Sequence, residues 1–107
     1  MEHLKFELTG HKVPQRFDAV LVGVVGSGNL EVLMERSADP AHCTFFINTS
    51  ARGFGSIWEA VVQNFQTQHS LAGVAFSIND MGATPAVVSL RLDQAAAYLP
   101  RQKAAAV

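Results

Sequence analysis

Hydrophobic periodicity along this chain switches from two to between three and four, back to two, and again to between three and four. That order, strands then helix then strand then helix, excludes a helical bundle and an all-β sandwich. Leu4, Phe6 and Leu8 alternate with Lys5 and Glu7, which reads as a half-buried strand over His3 to Leu8. Ala19 to Val25 is a near-continuous apolar run rich in valine, the pattern of a strand covered on both faces, and is expected at the sheet centre.

Gly26-Ser27-Gly28-Asn29 interrupts that run, and Leu30, Val32 and Met34 resume at strand spacing, so a β-hairpin with Ser27 near its tip is expected. Leu30, Leu33 and Met34 also fit helical spacing, but Ser37-Ala38-Asp39-Pro40 would stop such a helix within about two turns. Strand is the preferred reading. Cys43 to Thr49, with Thr44, Phe45, Phe46 and Ile47, is rich in residues that suit a pleated surface.

Phe54, Ile57, Trp58, Val61 and Phe65 then recur at steps of three and four, one apolar face of a helix that Ser56 and Glu59 could open as a capping box. Val74, Phe76 and Ile78 alternate with Ala75, Ser77 and Asn79, and Asp80-Met81-Gly82 closes that strand as a turn. Thr84 offers an N-cap, Pro85 suits the first helical position, and Val88, Leu92, Ala95 and Leu99 keep helical spacing until Pro100. The fold class expected is α+β: an antiparallel or mixed β-sheet of about four to five strands with two α-helices packed on one face. The pairing order stays open.

A chain of 107 residues fits one domain over 1–107, because either half alone would bury too little apolar surface; residues 101–107, low in complexity, read as a flexible tail. Lys and Arg number 8 and Asp and Glu 9, scattered, which leaves no footprint for nucleic acid or an anionic membrane. No apolar run approaches the ~20 residues of a membrane span, and the start lacks the pattern of a signal peptide, so a cytoplasmic location is expected.

Cys43 is the one cysteine, which excludes an internal disulfide and a zinc site of paired cysteines, and it reads as buried and structural. His3, His11, His42 and His69 have no metal-ligand spacing, and no metal is expected. Trp58 and the phenylalanines read as core, Asp80 as a turn residue, and Arg91 as a solvated or salt-bridged helix position.

The hydrolase elbow Gly-x-Ser-x-Gly is absent, since Val25 and Asn29 stand two before and two after Ser27. Gly23-Val24-Val25-Gly26-Ser27-Gly28 has a dinucleotide loop's glycine spacing reversed and lacks the lysine of a P-loop. What remains is a primary hydroxyl between two residues without side chains, where a bulky reagent can approach. Taken alone, such a tripeptide is most simply a turn. No catalytic base, oxyanion hole or metal accompanies it, so an independent enzyme is not expected.

Three segments together resemble the malonate decarboxylase acyl carrier protein family, the delta subunit: Val22-Gly23-Val24-Val25-Gly26-Ser27-Gly28-Asn29-Leu30-Glu31-Val32-Leu33, then Thr49-Ser50 with Gly53-Phe54-Gly55-Ser56-Ile57-Trp58, then Ile78-Asn79-Asp80-Met81-Gly82-Ala83-Thr84-Pro85. The carrier subunit of citrate lyase is related, but Gly82-Ala83-Thr84-Pro85 favours the malonate branch. Neither the Asp-Ser-Leu signature nor the acidic helical bundle of fatty-acid carriers is present.

The resemblance implies a non-catalytic carrier whose Ser27, flanked by Gly26 and Gly28, is the covalent phosphodiester attachment point of a 2'-(5''-phosphoribosyl)-3'-dephospho-CoA arm. It further implies that the arm's thiol carries acetyl and malonyl groups while malonate is converted to acetate and carbon dioxide. The implied partners are acyltransferase and decarboxylase subunits, a prosthetic-group transferase and a malonyltransferase, docking around residues 26–29 and the nearby sheet edge. Asn29, Arg52, Met81 and Ala86 depart from the residues usual in that family, respectively aspartate, an acidic residue, phenylalanine and glycine. The other reading of the chain is an α+β interaction module in which Ser27 is only a turn residue.

Overall fold

The computed structural model describes residues 1–100, so the expectation of a tail at 101–107 lies outside the described residues. Five strands, β1 (Glu2–Thr9), β2 (Val20–Gly23), β3 (Asn29–Arg36), β4 (His42–Thr49) and β5 (Val74–Met81), form one sheet in the order β1-β4-β5-β3-β2. Two helices, α1 (Gly55–His69) and α2 (Pro85–Ala96), complete the α+β fold expected from the periodicities. The sheet is mixed: β4 and β5 are parallel, and every other pairing is antiparallel. A parallel pair needs a crossover, and α1 supplies it.

Alternation decides which face is buried. Leu30, Val32 and Met34 of β3, Phe45 and Ile47 of β4, and Phe76 and Ile78 of β5 all point to one side and are sealed by Trp58, Val62 and Phe65 of α1 and Val88, Leu92 and Ala95 of α2. At the centre Phe45 stacks on Phe76 with ring centroids 5.1 Å apart, and Phe65 meets both edge-on. A leucine-sized hole there would cost about 2–5 kcal/mol, which makes this layer the main source of stability. Among the described residues the opposite face carries no helix; there Asn79 donates to Glu31, Asn48 donates to Asn79, and His3 bonds Asn48.

The valine run does not lie at the sheet centre. Its ordered part, β2, is a four-residue edge strand paired only with β3. Val20 and Val22 pack against the core, whereas Leu21, Val24 and Val25 are exposed. The run reflects the preference of valine for extended backbone rather than cover on two faces.

Helix α1 also departs from expectation. Its N-cap is Phe54 with no side-chain hydrogen bond, so Ser56 and Glu59 do not form a capping box; Ser56 already lies inside the first turn. Phe54 and Ile57 are exposed, and Val62 and Gln66 join Trp58 and Phe65 on the buried face. Ser70 ends the helix in a left-handed conformation with φ 48°, its amide donating to the Gln66 carbonyl. In α2, Thr84 accepts from the Val87 amide and Pro85 occupies the first turn as anticipated, but the helix stops at Ala96 rather than running to Leu99.

Candidate functional site

Positions 24–28 connect β2 to β3, and Ser27 is exposed in the turn at their tip. The Asn29 amide donates to the Gly26 carbonyl at 2.9 Å, and the Gly28 amide donates to the Met81 carbonyl at 2.8 Å. The turn is therefore hydrogen-bonded internally and pinned to the end of β5. Gly28 takes φ +72°, which L side chains rarely adopt, and a Cβ added at either Gly26 or Gly28 would meet nothing within 4 Å. Ser27 thus presents its hydroxyl at a fixed place with open space on both sides, a geometry suited to carrying a bulky group.

Asn29, which closes the turn, accepts from the Leu30 amide and from Arg91 Nε at 3.4 Å. Arg91 reaches this place from α2, lying across Gly23, and its Nη1 also donates to Gln94 at 2.9 Å. No carboxylate lies within salt-bridge distance of it among the described residues. Sequence reasoning left Arg91 as a solvated or salt-bridged helix position; the structure brings its cation to the edge of the turn that holds Ser27. The signal was invisible because Asn29 and Arg91 meet only through the packing of α2 on β3.

Asp80 is likewise more than a turn residue. It is buried, and its carboxylate accepts from Thr49 Oγ1 at 2.9 Å and from the Gly82 and Ala83 amides at 3.2 and 3.0 Å. These bonds tie the ends of β4 and β5 to the chain entering α2. Beside them a cleft of about 320 Å³ opens between the starts of the two helices, walled by Phe54, Ile57, Trp58 and Val88.

The other candidates lie elsewhere. Cys43 is buried in the core, where desolvation pushes its thiol up to about 12, so it stays protonated and inert at neutral pH. His69 bonds Asp93 and stacks on Phe65. His42 bonds Asp39 at 2.8 Å, and Glu7 comes close enough from β1 for the three ligating atoms to lie within 4.8 Å of one another. Sequence spacing gave no sign of that cluster, because Glu7 arrives only through the β1–β4 pairing. The Ala41 amide and then His42 hold the Asp39 carboxyl below its ordinary range, so the pair serves as a staple of the turn before β4.

Similarity to known proteins covers most of the chain. The sequence profile of the malonate decarboxylase delta subunit (MdcD) family, an acyl carrier protein family, matches residues 18–99. The chain belongs to this family. It is 63% identical over 97 residues to the malonate decarboxylase acyl carrier protein of Burkholderia cepacia, covering 91% of this chain and 89% of that one. Against the Stenotrophomonas maltophilia protein of the same name identity is 55% over 96 residues, with 89% and 91% covered. A chain in the crystal structure of a Pseudomonas malonate decarboxylase hetero-tetramer in complex with malonate superposes with a TM-score of 0.80 at 39% identity, over 89% of this chain and 95% of that chain. As a member of the family, the chain is a non-catalytic acyl carrier subunit.

Proposed function

We propose that Ser27 is the attachment point of a phosphoribosyl-dephospho-CoA arm, and that the chain carries acetyl and malonyl groups on it within a malonate decarboxylase. One observation carries the reading: in a family of acyl carriers, the chain exposes a serine hydroxyl at the tip of a hairpin, between two glycines that leave its surroundings open. When bound, the arm supplies a terminal thiol that holds acyl groups as thioesters.

The chain's own residues perform simpler tasks. Ser27 Oγ provides the ester oxygen and is not consumed in turnover. Gly26 and Gly28 keep the approach clear. Pinning of Gly28 to Met81 fixes the origin of the arm, and Arg91 places a cation beside the linking phosphate, where an ionised partner strengthens a hydrogen bond about two-fold over a neutral one. Asn29, where the resembling family usually has aspartate, keeps the turn and accepts from Arg91 without adding a negative charge next to that phosphate.

The partners follow from the same reading: acyltransferase and decarboxylase subunits, a malonyltransferase and a prosthetic-group transferase, all acting in the cytoplasm. Docking would centre on residues 26–29 and the β2 edge, where Leu21, Val24 and Val25 are exposed. The test is the intact mass of the protein produced together with its transferase. Wild type should gain the mass of one arm and Ser27→Ala none. A wild type that stays unmodified under those conditions would instead support the interaction module in which Ser27 is only a turn.

A further inference from the structure

The cleft between the helix starts is not used by the function proposed for Ser27. Resting on that reading, we propose that this cleft binds the adenine ring of the arm and anchors its base to the carrier. The first ground is position. Gly28 is hydrogen-bonded to Met81, and Gly82 and Ala83 line the cleft. Two residue steps and one interstrand spacing put Ser27 and the cleft rim at most about 12 Å apart. In the arm a phosphate and a ribose separate the seryl oxygen from the adenosine, which spans a similar distance.

The second ground is chemistry. A purine has two apolar faces and a polar edge. Phe54 and Ile57 are large apolar side chains left 46% and 44% exposed at the cleft mouth, with the Trp58 indole and Val88 behind them. The polar edge has a counterpart in Asp80. Its two oxygens accept three hydrogen bonds from the protein, and a carboxylate has about four lone-pair sites, so one is left for the exocyclic amine of adenine. The cleft volume of about 320 Å³ accommodates a nucleoside.

The third ground is order along the arm. The pantetheine lies beyond the pyrophosphate, so it can reach the cleft only if the arm folds back on itself. Adenine is the first apolar group to arrive and brings no charge with it. With the base held, the part of the arm that swings between partners is shortened to the pyrophosphate and pantetheine.

The experiment compares unmodified and arm-bearing protein by NMR after the mass has shown that the arm is present. The outcome expected is nuclear Overhauser contacts from adenine H2 or H8 to Trp58 and Val88. Trp58 is the chain's one tryptophan, so its indole signal is unambiguous. Phe54→Ala, which removes a half-exposed residue outside the core cluster, should lower the ratio of docked to free base at least about fivefold, the low end of one base–aromatic stack. Adenine signals as narrow as those of free adenosine, without contacts to the protein, would overturn the inference and leave the role of Ser27 intact. Contacts to Trp58 from the pantoyl methyl groups would overturn it equally. An unmodified Ser27 would remove both.

Discussion

The two ends of the sheet are built on opposite terms. At one end, where β1 finishes and β4 and β5 begin, the chain is clamped: buried Gln66 donates to the carbonyls of Thr9 and Leu71 and accepts from the Leu71 amide, and Gly10 sits where a Cβ would lie 1.8 Å from the Leu71 carbonyl oxygen. At the other end, where β4 and β5 finish and the β2–β3 turn projects, Gly26, Gly28, Gly53 and Gly82 stand in open space and Val24, Val25, Phe54, Ile57 and Met81 are exposed. A carrier needs room around its attachment point and an apolar surface to show its partners, and the open end supplies both while its backbone stays pinned through Gly28 and Asp80. Stability and loading should therefore respond to different substitutions.

The largest effect should come from Gly10→Ala, which drives a methyl into the Leu71 carbonyl and should cost about 3 kcal/mol, whereas Gly26→Ala at the open end should stay within about 0.5 kcal/mol. Urea midpoints of the two variants measure the contrast directly. Gln66→Ala removes three hydrogen bonds, to the carbonyls of Thr9 and Leu71 and from the Leu71 amide, and should cost about 2 kcal/mol, with the arm still attached to Ser27 in full. Equal losses at the two ends would break the comparison.

Substitution at the open end should instead change loading. Arg91→Ala removes a cation that has no carboxylate partner among the described residues, so it should slow attachment of the arm about tenfold, as expected for one charge-assisted hydrogen bond, while the urea midpoint barely moves. The initial rate of mass gain is the readout. Alkylation then sharpens the assignment of the working thiol: in folded, arm-bearing protein at neutral pH the arm should be labelled and Cys43 spared, because burial keeps the Cys43 thiol protonated up to about 12.

The smallest effect belongs to Asp39 at the clamped end. Its folded pKa lies below the ordinary 3.8, so its contribution is present above that value and is lost as pH falls through the depressed folded pKa. The difference in thermal midpoint between wild type and Asp39→Asn should close over that acid range. A difference that persisted below it would show that Asp39 acts through packing instead.

Much of this was legible in the sequence because it is local. Alternation marked β1, β3 and β5, residue type marked β4, steps of three and four marked the helices, and Thr84-Pro85 marked where α2 begins. Glycine on both sides of Ser27 marked an open turn, and the three matching segments pointed to the carrier family. What stayed hidden depends on residues distant in sequence. Whether the valine run is central or at an edge is decided by β3 pairing with β5, not by the run itself. Arg91 reaches the turn through the packing of α2 on β3, and the exposure of Phe54 and Ile57 shows only once α1 is set on the sheet. Asp80 looked like a turn residue until Thr49 was brought beside it by the parallel pairing of β4 and β5.

The most direct measurement is tandem mass spectrometry of the tryptic peptide Phe17–Arg36 from arm-bearing protein. Ser27 is the one hydroxyl-bearing residue within it, so any phosphate-linked group on that peptide has a single place to be. The account predicts a peptide carrying the complete arm, with fragments on either side of Ser27 bracketing the added mass. An unmodified Phe17–Arg36 peptide together with the arm on any other peptide would contradict it.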